Sequence, residues 1–470
     1  MTCFLSVSFG LLLALQIPKG TVQYEEPGAK AIAEATEAIR KNPKDVASYQ
    51  KRAAAFQDRG ETAKAIADYT EALKLNPRSD ADHHNRGVAH EELGQYDEAI
   101  ADYTEALRID PTQALTHAAR GNVWARKHES DKAITDLEEA TRLNPKLTTA
   151  YLTLGMAWRA KGELLKAIEA YGRALRIDPG NATCLVERGL IYARRNDHDA
   201  AIKDYSEVIR LNRVALDSFK GAEAPQVFVP IPTGDPFAPK DGRGKPILTY
   251  VPALTYFQED PATLSALSYR AAEWMKKDEP AKAIDDYTEI LRRSPEDFSA
   301  YLDRGLAWVE AGDLDKAIAD YTKAIDLNPM GASGHFARGN ALSDQGETDK
   351  AIDDYTESIR LDPKDAKVYF NRGQSWNKKR EFDKAIDDYT ESIRLDPKDA
   401  SAYISRGLAW KNKGDLDRAI SDYTDAIRVD PKCASAYLFR GVAWREKGDE
   451  EKAMADLTEA HKLDPKLRRP

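Results

Sequence analysis

The sequence has few cysteines and lacks the motifs that mark common active sites. Its 470 residues include only Cys3, Cys184 and Cys433, which have no metal-ligand spacing and suggest no disulfide scheme. No glycine-rich phosphate loop, metal-binding pair or nucleophile motif is present. The sequence therefore predicts no catalytic residue, no cofactor and no metal, and an enzyme with an unrecognised site remains only as an alternative.

A basic surface is also missing. The net charge is -9, and acidic and basic residues alternate along the chain instead of forming a basic stripe. A nucleic-acid partner favours clustered lysine and arginine, so we expect no nucleic-acid binding. The charges are typical of solvated outer faces.

One long apolar run lies near the start, at residues 3–17. It resembles the core of a secretory signal, but it has no basic leader and no A-x-A cleavage site follows it. It is too short to indicate a membrane-spanning helix. We favour export or membrane tethering over a cytoplasmic location, with membrane contact only through this segment; a misassigned start or a buried cap is the alternative.

A proline recurs every 34 residues through most of the chain. The positions are Pro43, Pro77, Pro111, Pro145, Pro179, Pro295, Pro329, Pro363, Pro397, Pro431 and Pro465. A period of 34 is that of a helix–turn–helix repeat. Counting back 31 residues gives full repeats that begin at 46, 80, 114, 148 and 182, and at 264, 298, 332, 366, 400 and 434, after a half-repeat at 29–43.

Each repeat has the pattern of two amphipathic helices. In the repeat from 400, Gly414 is placed to end the first helix and Asp415 to cap the second. Small residues, Gly407 and Ala419, fall where the helices must cross closely.

These repeats resemble the tetratricopeptide repeat (TPR) family. The resemblance rests on glycine at position eight, alanine at twenty, an aromatic residue at twenty-four and the closing proline. It implies an all-α, right-handed superhelix whose concave groove, lined by first helices, binds proteins or peptides. This sequence departs from the family in having Tyr at position four and tryptophan at eleven, where we expect a core role and keep an aromatic ligand stripe as the alternative. The tryptophans are Trp124, Trp158, Trp274, Trp308, Trp376, Trp410 and Trp444.

Two arrays with an interruption follow from the phase of the prolines. We predict an apolar N-terminal segment at 1–28, a first array at 29–215, a proline-rich insert at 216–263 and a second array at 264–470. The insert contains two β-prone runs around a turn-rich stretch, which favours a loose hairpin or an extended flap. It is either a semi-ordered linker or an arm that covers the groove or binds a partner.

Ten repeats carry Arg at position seven and Asp at position twenty-three. These positions lie at the same height in a helical hairpin, so each Arg is expected to pair with the Asp of its own repeat. The repeat from 148 has Leu154 and Ala170 instead, so both partners are missing together. Pairing between repeats would leave single buried charges on either side, so the exception favours pairing within a repeat.

The groove is expected to bind a protein or peptide, with an amphipathic helix as one mode. No position five is basic, which argues against the family's clamp for acidic chaperone tails. An apolar stripe favours the second array, although packing could bury part of it. The candidate residues are Leu302, Leu306, Phe336, Asn340, Phe370, Gln374, Ile404, Leu408, Leu438 and Val442. Self-association into a structural or envelope-associated assembly is the alternative use of the arrays.

Overall fold

The structure is a computed structural model that describes residues 28–218, 226–229, 249–252 and 260–466. The apolar run at 3–17 and most of the insert at 216–263 lie outside these ranges. The described residues form 23 helices and two short strands.

The helices follow the predicted repeats in order. The first eleven are α1 (Ala29–Lys41), α2 (Val46–Asp58), α3 (Thr62–Leu75), α4 (Asp80–Glu92), α5 (Tyr96–Ile109), α6 (Ala114–Arg126), α7 (Ser130–Leu143), α8 (Thr148–Ala160), α9 (Leu164–Ile177), α10 (Ala182–Arg194) and α11 (His198–Ser218). The other twelve are α12 (Pro261–Lys276), α13 (Pro280–Arg293), α14 (Phe298–Glu310), α15 (Leu314–Leu327), α16 (Ala332–Gln345), α17 (Thr348–Leu361), α18 (Ala366–Lys378), α19 (Phe382–Leu395), α20 (Ala400–Asn412), α21 (Leu416–Val429), α22 (Ala434–Glu446) and α23 (Glu450–Leu463). The all-α solenoid fold predicted from the repeats is confirmed.

The turn between paired helices has the predicted chemistry. Gly414 follows α20 with φ of 90°, a left-handed conformation that glycine adopts without steric cost. The side chain of Asp415 then accepts a hydrogen bond from the backbone N–H of Arg418 and caps α21. The second helix of most repeats is followed by a proline, which cannot continue a helix. Arg213 stands at this position after the repeat from 182, and α11 extends to Ser218.

The two strands pair within the insert. β1 (Gln226–Val229) is antiparallel to β2 (Thr249–Pro252), with Val227 opposite Val251. The hairpin suggested by the sequence is confirmed for these residues. The role of the insert stays a prediction.

The chain divides into two compact units, Met1–Tyr269 and Arg270–Pro470, and the division falls inside α12. In the first unit the largest buried cluster extends from α6 to the start of α12, where Ala266 is fully buried. The second unit is built around the buried tyrosines at position twenty-four, such as Tyr389 and Tyr423. The domain boundaries given above remain a prediction.

The tryptophans at position eleven are not the centre of the core. All seven are half-buried, whereas the fully buried rings are tyrosines at position twenty-four. A cation lies over each tryptophan ring, as Lys166 does over Trp158 at 4.2 Å from the ring centroid and Arg418 over Trp410 at 4.4 Å. The core interpretation is therefore only half right, because the rings pack at the edge of the core and a charged side chain covers the outer face.

Candidate functional site

The Arg–Asp pairs fix the geometry of each helical hairpin. In the repeat from 366, Arg372 donates to both oxygens of Asp388, from Nε at 2.8 Å and from Nη2 at 2.7 Å. Asp422 bonds Arg406 of its own repeat in the same way. The predicted pairing within a repeat is confirmed in all ten repeats that carry both residues.

The same arginines also join neighbouring repeats, which the sequence analysis missed. Arg372 Nη1 donates to Thr356 Oγ1 of the preceding repeat at 3.0 Å, and Arg406 bonds Thr390 at 3.1 Å. The recurrence of threonine at position twenty-five is the signal that could have found this bond. Eight of the ten arginines make this bond, and each of the eight thus connects three helices.

Burial and hydrogen bonding compete at the paired carboxylates. Burial raises the pKa of Asp388 above its usual range even though Arg372 donates to it. At Asp136 burial acts in the same direction, but hydrogen bonds from Arg120 and His117 outweigh it, so its pKa is lowered. The extra donor comes from His117, whose Nδ1 lies 3.1 Å from Asp136 Oδ1. These groups serve the framework of each hairpin.

This framework holds the first helices side by side. Adjacent first helices contact each other along the second unit, from α14 through α16, α18 and α20 to α22. Their outward side chains form what we call the first-helix face, with positions two, five, nine, twelve and thirteen of each repeat. This face is the candidate binding surface.

The ten predicted groove residues lie on this face with unequal exposure. Leu306 is 51% exposed and Gln374 is also exposed, whereas Ile404 is buried. The other seven are half-buried: Leu302, Phe336, Asn340, Phe370, Leu408, Leu438 and Val442.

Packing within the array uses part of the apolar stripe. The ring of Phe336 lies 6.2 Å from that of Tyr355, and the ring of Phe370 lies 5.7 Å from that of Tyr389. Both phenylalanines border buried clusters of the second unit. Their hydrophobic area is therefore shared between the core and the face.

A polar group lies between these rings. Asn340 Oδ1 accepts hydrogen bonds from Tyr355 Oη at 2.9 Å and from Asn371 Nδ2 at 2.8 Å. Asn371 was missed in the sequence, because an isolated asparagine at position six has the pattern of a solvated residue. Asn340 is thus held in place by two donors, which leaves its amide N–H groups available to a partner.

The first unit has a more polar first-helix face. Gln50 Nε2 lies 2.8 Å from each oxygen of Asp82, and Arg159 Nη1 lies 2.7 Å from Glu187 Oε2. Burial raises the pKa of Glu187, and the charge of Arg159 acts in the opposite direction. Met156, 41% exposed at position nine, is this face's counterpart of Leu306.

Within the described ranges, no cluster of three or more His, Cys, Asp or Glu side chains could hold a metal ion. In the same part of the chain, no helix combines the length and apolar character needed to cross a membrane.

Comparisons with known proteins agree with the repeat architecture. Family models described as tetratricopeptide repeat match residues 83–113, 119–182, 182–214, 336–400 and 404–467, and one described as TPR repeat matches 54–94 and 305–346. Together these ranges take in more than half of the chain. No curated protein matches it.

Solved structures with similar folds cover part of the chain. MamA is 28% identical, with 34% of this chain and 95% of that chain covered and a TM-score of 0.34. YrrB, described as a TPR protein with an unusual peptide-binding site, is 24% identical, with coverage of 38% and 93% and a TM-score of 0.35. A tetratricopeptide repeat protein from Parabacteroides merdae is 18% identical, with coverage of 63% and 98% and a TM-score of 0.41.

All three scores lie below 0.5, and no conclusion about this chain follows from them. The repeat geometry and the family models, which match more than half of the chain, show the family by themselves. The chain belongs to the tetratricopeptide repeat family, whose members are in general non-enzymatic scaffolds for protein interaction.

Proposed function

We propose that this protein is a scaffold that binds a protein or peptide partner on the first-helix face of its second array. The proposal is supported by the exposure of Leu306, at position nine of α14 on that face. A large apolar side chain left in water is what a partner's apolar surface would cover. The half-buried Leu302 and Phe336 lie on the same face and extend the apolar area.

The difference between first and second helices supports the same proposal. Residues 349–366 and 383–400 are identical, so the second helices there are interchangeable, while the first helices that precede them differ. The framework contacts are the same in both repeats. Variation therefore concentrates where a partner would be selected, and an amphipathic helix with apolar residues three and four apart is the mode we propose.

Substitution of Leu306 by Asp tests this proposal. Full-length protein, wild type and variant, is used to capture partners from cells of its own source, and captured proteins are quantified by mass spectrometry. The matched control is Leu165→Asp, because Leu165 is 66% exposed but lies on a second helix, α9. Both substitutions should leave the thermal melt unchanged.

We expect Leu306→Asp to lose the main partner and Leu165→Asp to keep it. Placing a charge in a desolvated contact commonly costs ~2 kcal/mol or more, which is over tenfold in affinity. Equal recovery of the same partners by both variants would contradict the proposal. The substitution uses Leu306 because Phe336 and Phe370 also pack on buried tyrosines, and their loss would damage the array itself.

A further inference from the structure

The repeat from 148 differs from the others at every contact of the Arg–Asp pair. Leu154 and Ala170 replace the pair, and both are buried, at 7% and 4% exposure. Glu138 stands where most preceding repeats carry the threonine that accepts from the arginine. The guanidinium that crosses between three helices elsewhere is therefore absent here.

A cavity of about 510 Å³ opens at this place, between α7, α8 and α9. Leu154 and Ala170 line it, and so do Tyr151 and Trp158, at positions four and eleven of the same helix. Seven residues of helix span ~10 Å, so the cavity is long enough for a fused ring system. Its volume lies within the range of ~300–1,000 Å³ that small-molecule sites occupy.

Charged side chains of both signs line the rest of the cavity, and Arg142 is already paired with Glu139. Arg142, Lys166 and Arg173 contribute positive charge, and Glu138 and Glu169 contribute negative charge. Glu169 accepts one bond from Arg173 Nη2 at 2.7 Å, so Arg173 keeps most of its N–H donors.

Lys166 is the second source of donors for a ligand. Its Nζ lies 4.2 Å from the centroid of Trp158, and in the described part of the chain it has no carboxylate partner. Glu138 is exposed to water and needs no other partner. The cavity therefore offers the apolar side chains of Leu154, Ala170 and Trp158 with hydrogen-bond donors of positive charge beside them.

We propose that this cavity binds a small amphipathic anion, with a flat apolar body between Tyr151 and Trp158 and its acidic group at Lys166 and Arg173. The site uses positions four, seven and eleven of the first helix. It is therefore separate from the first-helix face, and neither proposal depends on the other.

The test uses two fluorescent probes with the same aromatic body. 8-Anilinonaphthalene-1-sulfonate carries a sulfonate, and N-phenyl-1-naphthylamine lacks it. Each is titrated into the full-length protein and into Leu154→Arg/Ala170→Asp, which installs the pair present in ten other repeats without changing the net charge. A thermal melt by circular dichroism shows that the variant is folded.

We expect saturable binding of the sulfonate to the wild type and at least ~10-fold weaker binding to the double variant, because the guanidinium fills the cavity. Ala170→Leu, which fills the same space with an apolar group, should give the same loss. Equal affinity in wild type and filled variants would overturn the proposal, because the probe would then be bound elsewhere.

The charge of the ligand is tested separately. Lys166→Gln should weaken binding of the sulfonate ~3-fold or more and leave the neutral probe unchanged, since one contact of an ammonium with an anion is removed. If the neutral probe binds the wild type as tightly as the sulfonate does, the ligand does not need an acidic group and the proposal is overturned.

Discussion

Side chains of unequal size meet where the two helices of a repeat cross. A Cβ atom built on Gly305 would lie 2.4 Å from Cε1 of Tyr321, and one on Gly407 would lie 2.7 Å from Cε1 of Tyr423. Both distances are shorter than real Cβ contacts, so at these two sites the tyrosine ring could not keep its place if the glycine carried a side chain. The repeats from 46 and 264 carry Ala53 and Ala271 at position eight, so the ring can adjust to a methyl group there. The sequence predicted this close crossing from Gly407 and Ala419, but it did not predict that the tyrosine ring lies against the glycine, because the direction of a ring cannot be read from its spacing alone.

His84 is a half-buried histidine of the first unit. It occupies position five in α4, with Nδ1 2.9 Å from Thr116 Oγ1 and its ring 5.6 Å from that of Tyr103. Burial lowers the pKa of His84, because the imidazolium loses its hydration. The pKa of a histidine in the unfolded chain is ~6.5. Because the pKa of His84 is lower in the folded protein, its contribution to stability is fully present above pH ~6.5 and is lost as the pH falls below that value.

Replacement of His84 by Phe should remove this acid sensitivity. Phenylalanine occupies the same position at Phe336 and Phe370, where its ring packs on the equivalent tyrosine. We expect the wild-type melting temperature to fall between pH 7 and pH 5 by more than that of the variant. Thermal melts across this range measure it, and parallel curves for the two proteins would contradict the assignment.

At the scale of the element, the turn between helices demands one backbone conformation. Position fifteen has positive φ whether or not it is glycine: Gly346 has φ of 88°, whereas Arg380 has φ of 62° and Asn196 has 59°. A side chain in this left-handed region costs ~1–2 kcal/mol, except for asparagine and aspartate, which tolerate it better. Arg380 is therefore a strained position in an otherwise regular hairpin.

Arg380→Gly should stabilise the second unit. The gain is expected to be ~0.5–1 kcal/mol, because relief of strain exceeds the entropy that glycine loses on folding. Asp387→Gly is the control, since Asp387 is exposed inside α19 and glycine there should destabilise by ~0.3 kcal/mol. Denaturant unfolding measures both, and a loss of stability in Arg380→Gly would show that the turn is unstrained.

At the scale of the whole molecule, the period of 34 was enough to predict the fold. It placed the helices in pairs, and the joint absence of Arg and Asp at Leu154 and Ala170 predicted the hydrogen bonds of the other ten repeats. Sequence could not predict the cavity at the same place, because its volume depends on whether the neighbouring helices close in when the side chains are lost.

The candidate face was predicted less completely. Ile404 and Leu302 both occupy position five of their repeats, yet Ile404 is buried and Leu302 is half-buried. The difference arises from the side chains that the adjacent first helices supply, which no single repeat contains. Exposure along a solenoid is a property of neighbouring pairs of repeats.

The two junctions on either side of the repeat from 148 lack the residues for the arginine–threonine bond that joins other repeats of the first array. Gly172 replaces the threonine that would accept from Arg188, and a Cβ placed there would lie 3.7 Å from Arg188 Nη1, with no clash. Gly172→Thr should therefore restore a bond to a charged donor, while Gly172→Ala improves helix propensity alone. Threonine is up to ~0.7 kcal/mol worse than alanine in a helix, and the bond contributes ~1.5–3 kcal/mol, so we expect the threonine variant to be the more stable by ~1 kcal/mol.

Denaturant unfolding compares the two, and hydrogen exchange should show slower opening of α9 and α10 only in Gly172→Thr. Equal stability of the two variants would mean that the arginine–threonine bond does not couple neighbouring repeats.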